Sequence, residues 1–238
     1  MRLRRGLLAG LALALLVPLA GCAEKQAALW RANPAFADLP TGSLAVTKLV
    51  PEEFVLVGRD VFVEDLKIYS EDVHPVLLAR SDSIFDAWAR DALGSEIRLG
   101  NPDSLGFAPR ENHQVDGTVF VPVRWPWQGD LQRAGDAEPD LVLILGELTV
   151  GFDLRARSLY DYTLANSYSE PGEKPAALDA ALVWTLWDNR LQQYRAYGIA
   201  EAERPLVRPL TLQALDELYA QLLIDLQRRT RLYREVAR

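Results

Sequence analysis

The chain has 238 residues, a formal net charge of −7 and a single cysteine. Its net negative charge repels polyanions, so neither nucleic acid nor an anionic lipid surface is expected as an electrostatic partner. With only one cysteine, the chain forms no internal disulfide. Its composition, 49% hydrophobic and 25% charged residues, is that of an ordinary globular domain.

The first residues have the layout of a secretory signal. Arg2, Arg4 and Arg5 form a positive start, and residues 7–16 form an uncharged apolar run that Pro18 ends. This order of charge, apolar run and small residues is typical of a signal peptide. The run is too short for a comfortable membrane span, which needs about 20 apolar residues.

The end of that run resembles the lipobox of bacterial lipoproteins. The match is Leu19-Ala20-Gly21-Cys22, and together with the preceding signal it covers the first 22 residues. The resemblance implies cleavage between Gly21 and Cys22, and acylation of Cys22 on its thiol and its new amino group. Three acyl chains would make a stable anchor, because each buried CH₂ contributes about 0.8 kcal/mol. The alternative is an ordinary secretory signal that happens to end beside a cysteine.

In the same family, an Asp after the cysteine commonly retains the protein at the inner membrane. Here Ala23 and Glu24 follow Cys22, which implies release to the outer membrane of a diderm host. The resemblance therefore predicts a lipid-anchored outer-membrane protein whose domain faces the periplasm.

The remaining organisation is predicted as follows: residues 1–21 form the removed signal peptide, 22–43 the lipidated N-terminus and tether, and 44–238 one globular domain. The tether is polar and contains proline, with a short helix predicted over 26–32. Trp30 and Phe36 are apolar enough to pack back on the domain.

In the first half of the domain, three apolar stretches predict strands: SLAVTKLV, EFVLVG and DVFVEDLKIY (residues 43–50, 53–58 and 60–69). Residues 81–97 follow a helical period with Ser83 as N-cap. Residues 101–114 indicate a loop by their Pro, Gly and Asn content. GTVFVPVRW (117–125) then predicts a strand, at an edge or bulged because Pro122 has no amide donor.

The second half carries the clearest pattern. Residues 140–154 predict a long strand with a bulge near Gly146. Two apolar stretches flank Asn189-Arg190-Leu191 and predict a hairpin. Thr211 to Arg229 predicts an amphipathic helix with Thr211 as N-cap. The fold class predicted is α+β, with helices on one face of a mostly antiparallel sheet.

No established catalytic, nucleotide-binding or metal-binding motif is found, so no cofactor, metal or catalytic residue is predicted. His74 and His113 lie outside any established metal-ligand spacing and are interpreted as solvated loop residues, with a weak surface metal contact beside Asp72 or Glu111 as the alternative. In RWPWQGD, Trp125 and Trp127 flank a proline and form a rigid aromatic pair. They either close one end of the sheet or contact a glycan or peptide.

Acidic residues are frequent and leave a hydrolase as a further alternative. A glycosidase needs two carboxylates facing each other across a cleft, and neighbours in sequence do not establish that. The pairs are Glu52-Glu53, Glu64-Asp65, Glu71-Asp72 and Asp82 with Asp86. A solvated acidic surface explains them equally well.

The element order, with ALVWTLWDNRLQQYRAYGIAEA (181–202) as a hairpin before a closing helix, is similar to a group of small envelope lipoproteins. The group includes curli-secretion lipoproteins, penicillin-binding-protein activators and the TolB amino-terminal domain. The similarity lies in element order across residues 45–230. It implies a non-catalytic accessory or assembly factor that binds an envelope protein. A binding module using Trp125 and Trp127 and a hydrolase are the alternatives.

Overall fold

The computed structural model describes residues 30–33, 44–47, 49, 51–93, 98–99, 111–116, 119–123, 139–154 and 176–230. The strands are β1 (Trp30–Ala32), β2 (Leu44–Thr47), β3 (Phe54–Leu56), β4 (Arg98–Leu99), β5 (Glu111–Asp116), β6 (Val119–Val123), β7 (Leu141–Phe152), β8 (Ala177–Asp188) and β9 (Gln193–Pro205). The helices are α1 (Arg59–Leu66), α2 (Ser70–Leu93) and α3 (Leu212–Thr230).

In the described residues, seven strands form one mixed sheet in the order β1-β9-β8-β7-β2-β4, with β3 also beside β7. The long ladders β9-β8 and β8-β7 are antiparallel. β2 and β3 lie end to end along β7 and run parallel to it. The domain is therefore α+β with a mostly antiparallel sheet, as predicted.

One face of the sheet carries all three helices. In α2, every fourth residue is buried, so one stripe of the helix faces the sheet; the stripe consists of Val73, Leu77, Ser81, Phe85 and Ala89. Phe85 meets Tyr219 of α3 edge-on, with ring centroids 6.2 Å apart. An ion pair between Arg80 and Asp216 joins the same two helices.

The opposite face of the sheet is covered in part by the β5-β6 hairpin. Val121 and Val123 of β6 pack against Val183 of β8 and Ile199 of β9. Trp184 and Trp187 lie on opposite faces of β8, because Trp184 belongs to the helix-side core and Trp187 to a smaller cluster on the other side. The alternation expected of a strand therefore places one tryptophan in each layer.

Asp188 organises the turn between β8 and β9. Its Oδ1 accepts hydrogen bonds from the amides of Arg190 and Leu191, both at 3.0 Å. Its Oδ2 accepts from both Nε and Nη2 of Arg195, at 3.0 and 2.7 Å. Both side chains are buried, so removing either partner would leave an unpaired charge inside the fold.

Several local predictions are confirmed. β7 has its register shift between Leu145 and Leu148, around Gly146. The β8-β9 hairpin turns at residues 189–192. Thr211 caps α3, since its Oγ1 accepts the amide of Ala214 at 3.2 Å. Pro122 lies in β6, on the two-stranded hairpin.

Other predictions are wrong. Residues 59–66 form helix α1 and not a strand: Gly58 at φ +75 turns the chain into the helix. Phe62 then packs into the core, and Val61 and Val63 pack beside it. Val61 and Val63 are two residues apart, which is also the spacing of side chains on one face of a strand.

Three boundaries also differ. α2 begins at Ser70, with Pro75 inside it, so Ser83 is a mid-helix residue and not an N-cap. Residues 111–114, predicted as loop, belong to β5. Within the predicted tether, residues 30–32 form β1 and not a helix. Trp30 packs against the helix-side core while the backbone of β1 pairs with β9.

Candidate functional site

The loop between β9 and α3 is fastened to the end of α1 by an ion pair. The Arg208 guanidinium donates from Nε to Asp65 Oδ2 at 2.9 Å and from Nη2 to Glu64 at 3.2 Å. The amide of Leu210 donates to the same Asp65 Oδ2 at 2.9 Å. The hydrogen bonds from Arg208, and to a smaller extent the one from the Leu210 amide, hold the pKa of Asp65 below its ordinary value.

Two exposed apolar side chains lie close in sequence to the residues of this ion pair. Tyr69, four residues beyond Asp65, is 77% exposed, and Val207, next to Arg208, is 75% exposed. We call Tyr69, Val207 and the Arg208–Asp65 pair the exposed corner. Apolar side chains rimmed by charged groups are typical of protein contact sites, and Tyr and Arg are enriched at their energetic centres.

A carboxyl cluster lies at the end of the β8-β9 ladder where β9 leads into the loop that carries Arg208. It consists of Asp153, Asp179, Glu201 and Glu203. Asp179 and Glu203 are directly opposite each other in the ladder. Asp179 is only 6% exposed, and its Oδ1 has no hydrogen-bond partner. Like charges placed opposite one another in this way destabilise a sheet.

Burial and neighbouring acids set the protonation of this cluster. Burial, reinforced by Glu203 and Asp153, raises the pKa of Asp179 to about 7, against a smaller opposing effect of the Leu154 amide. Burial also raises the pKa of Glu201 to about 7, although Arg229 opposes it at 4.0 Å. The cluster can therefore take up protons near neutral pH.

A small cleft lies at the β7 bulge, where Glu53 and Glu147 are among the lining residues with Pro122 and Gly146. Glu53 is buried, at 1% exposure. A glycosidase pair must reach a bound sugar. A carboxyl this deeply buried cannot do so, and we derive no reaction from the cleft.

The residues singled out from sequence fall in different places. Gly21, Cys22, Trp125 and Trp127 lie outside the described residues, so their predicted roles stay predictions.

Neither histidine is a loop residue as predicted: His74 lies in α2 and His113 in β5, and both make local contacts. The Nε2 atom of His74 lies 2.8 Å from the carbonyl of Phe54, and the two rings meet edge-on. His113 lies 3.2 Å from Glu111 and against the ring of Tyr197. These contacts join α2 to β3 and β5 to β9.

Within the described ranges, no group of three or more His, Cys, Asp or Glu side chains is arranged to hold a metal ion. No helix in the same ranges has the length and apolar character to cross a bilayer. Comparison of the chain with protein-family models, curated proteins and solved structures finds no match.

Sequence reasoning missed both the exposed corner and the carboxyl cluster. Each depends on pairing across long sequence separations, such as Asp65 with Arg208, which no local pattern encodes. A partial signal existed for the cluster: Asp179 and Glu201 are acidic residues that each lie between two apolar neighbours inside a strand.

Proposed function

We propose that this protein is a lipid-anchored envelope protein of the bacterial outer membrane that acts without catalysis, by binding another envelope protein in the periplasm. The observation that carries the proposal is Leu19-Ala20-Gly21-Cys22 at the end of a complete signal sequence. A triacylated Cys22 would hold the domain permanently at the membrane surface.

The exposed corner supports the partner-binding half of the proposal. Tyr69 offers an aromatic anchor at low conformational cost, and Val207 adds apolar area beside it. The Arg208–Asp65 pair fastens both segments, so the corner is preorganised and a partner would lose little ordering entropy on binding.

Site-specific photo-crosslinking in the native membrane tests this function. A benzophenone amino acid replaces Tyr69 in one variant and Ile224 in the other. Ile224 is the matched control, because it is also exposed (50%) but lies on α3, away from the corner. We expect one discrete crosslinked partner from position 69 and none from position 224. Equal yields of the same products, or no product at position 69, would contradict partner binding at the corner.

A further inference from the structure

The backbone holds the carboxyl groups of Asp179 and Glu203 close together. The Leu206 amide donates to the carbonyl oxygen of Ala176 at 2.8 Å, so residues 176 and 206 form a hydrogen-bonded pair. Hydrogen-bonded and non-hydrogen-bonded pairs alternate along an antiparallel ladder, and Asp179 and Glu203 lie three pairs further in. They therefore form a non-hydrogen-bonded pair, in which the side chains lie closer than in the neighbouring pairs.

The Asp179 carboxyl has little around it to compensate a negative charge. It is buried, and its Oδ1 has no hydrogen-bond partner, although the amide of Leu154 donates to the carboxyl group. Among the described residues, the charged groups that act on it include Asp153 and Glu203, which are both acidic, and the β6 valines on the same side of the sheet are apolar. This environment favours the neutral, protonated carboxyl.

Glu201 extends the carboxyl cluster towards α3. Its side chain lies on the same face of β9 as that of Glu203, two residues further along the strand, and its amide donates to Asp225 at 2.9 Å. Burial raises the pKa of Glu201 to about 7, although Arg229 opposes this from 4.0 Å. Two carboxyls of the cluster therefore release their protons in the same pH range, near neutrality.

The end of the ladder leads directly into the loop of the exposed corner. Val207 and Arg208 follow Leu206, whose amide is bound to Ala176 of the neighbouring segment. If the ladder end separates, this hydrogen bond is lost, and the loop is then held by its contacts with Asp65. The state of the ladder end thus determines how firmly one segment of the corner is fixed.

We propose that protons on the carboxyl cluster control the exposed corner: the protonated cluster keeps the ladder end closed and the corner preorganised for its partner, whereas loss of the protons opens the ladder end and weakens partner binding. We call this the proton switch. It rests on the proposed function, because it regulates that same corner. Opening lets water reach the ionised carboxylates, and a partner must then order the loop again when it binds, which lowers its affinity.

Proton linkage gives the direction and the size of the effect. The pKa of Asp179 is about 7 in the closed ladder and 3.8, its ordinary value, when the carboxyl is solvated. The closed ladder therefore binds the proton more tightly, and opening becomes more frequent as the pH rises. For this carboxyl alone, the equilibrium constant for opening should rise about tenfold between about pH 6 and about pH 8.

Hydrogen exchange read by mass spectrometry tests the proton switch without a partner. The full-length, host-processed protein is exchanged at about pH 6 and about pH 8, and the rates are corrected for the intrinsic pH dependence of amide exchange. We expect peptides that cover 176–180 and 201–207 to lose protection about tenfold or more at the higher pH. They should also exchange faster than residues 182–186 in the middle of β8, because strand ends open locally.

Two matched variants assign the effect to the buried carboxyl. Asp179→Asn should make the loss of protection at least threefold smaller. Asp91→Asn, the same change at an exposed position on α2, should leave it as in the unaltered protein. Equal effects of the two variants, or a ladder end that exchanges no faster than residues 182–186, would overturn the proton switch.

Crosslinking from position 69 at the two pH values supplies the functional measurement. The yield of the partner product should fall at least threefold from about pH 6 to about pH 8, and Asp179→Asn should remove most of this fall. A yield that does not change with pH would overturn the proton switch and leave partner binding intact. No crosslinked product at either pH would instead overturn partner binding at the corner, and the regulation with it.

Discussion

At the scale of single residues, Asp179 is the side chain whose environment departs furthest from what its chemistry favours. Water normally stabilises a carboxylate, yet this one is buried beside Asp153 and opposite Glu203. An ionised carboxylate there lacks solvent and faces like charge, so the folded protein retains the proton instead. The proton therefore links the stability of this end of the sheet to pH.

We expect Asp179→Asn to stabilise the protein above neutral pH and to have little effect in acid. The pKa of Asp179 rises from its ordinary 3.8 to about 7 on folding, so the folded state binds more protons between these values. The stability that the Asp179 carboxyl contributes is fully present below its ordinary pKa of 3.8 and is lost as the pH rises through about 7. Asn has no charge to bury, so the gain at about pH 8 should be about 2–4 kcal/mol.

Urea unfolding at about pH 4 and about pH 8 measures this difference. Glu203→Gln is the control: it removes the opposing charge at an exposed position, and its effect should stay below about 1 kcal/mol. If Asp179→Asn changed stability equally at both pH values, the buried carboxyl would not be the titrating group.

At the scale of elements, pattern reasoning succeeded where one local rule decides the structure. The bulge at Gly146, the turn at 189–192 and the Thr211 cap each depend on residues within a few positions of one another. The strand prediction for residues 59–66 failed because Val61, Phe62 and Val63 form a short run of β-branched and aromatic residues, which is typical of strands. The choice between strand and helix was decided by Phe62, whose place in the core depends on distant residues.

Close contact between β7 and the chain after β3 depends on a glycine. A Cβ on Gly151 would come within 2.7 Å of the Val57 Cβ and 3.0 Å of its carbonyl oxygen. The Cβ and the carbonyl oxygen of Val57 are both fixed in place, because the Val57 amide donates a hydrogen bond to the carbonyl oxygen of Val150 at 2.9 Å. The parallel β3-β7 pairing therefore requires this small residue.

We expect Gly151→Ala to destabilise the fold by about 1–3 kcal/mol, because neither neighbour can move without breaking the pairing. Gly146→Ala is the matched control on the same strand, where the nearest atom, the carbonyl oxygen of Val183, is 3.3 Å away. Thermal unfolding should show the larger loss for Gly151→Ala. A larger loss of thermal stability for Gly146→Ala would mean that a methyl group is tolerated less well at the bulge than at the β3-β7 contact.

At the scale of the whole molecule, the proposed signal and lipobox would determine location, whereas the fold determines which surfaces of the domain are exposed. The lipobox resemblance rests on a contiguous stretch, residues 19–22, so the sequence alone suffices to propose it. The exposed corner could not be proposed from sequence, because the Arg208–Asp65 pair joins segments that are distant in the chain. β1, inside the predicted tether, would shorten the distance from the proposed anchor to the domain.

Mass spectrometry of the N-terminal peptide, isolated from the membrane of a lipoprotein-processing host, tests the central claim most directly. We predict a chain that begins at Cys22 and carries a diacylglyceryl group on the thiol and a further acyl chain on the amino group. The Cys22→Ala variant should carry neither the diacylglyceryl group nor the additional acyl chain. A peptide that begins at another residue, or one that begins at Cys22 with an unmodified thiol, would contradict the lipid anchor.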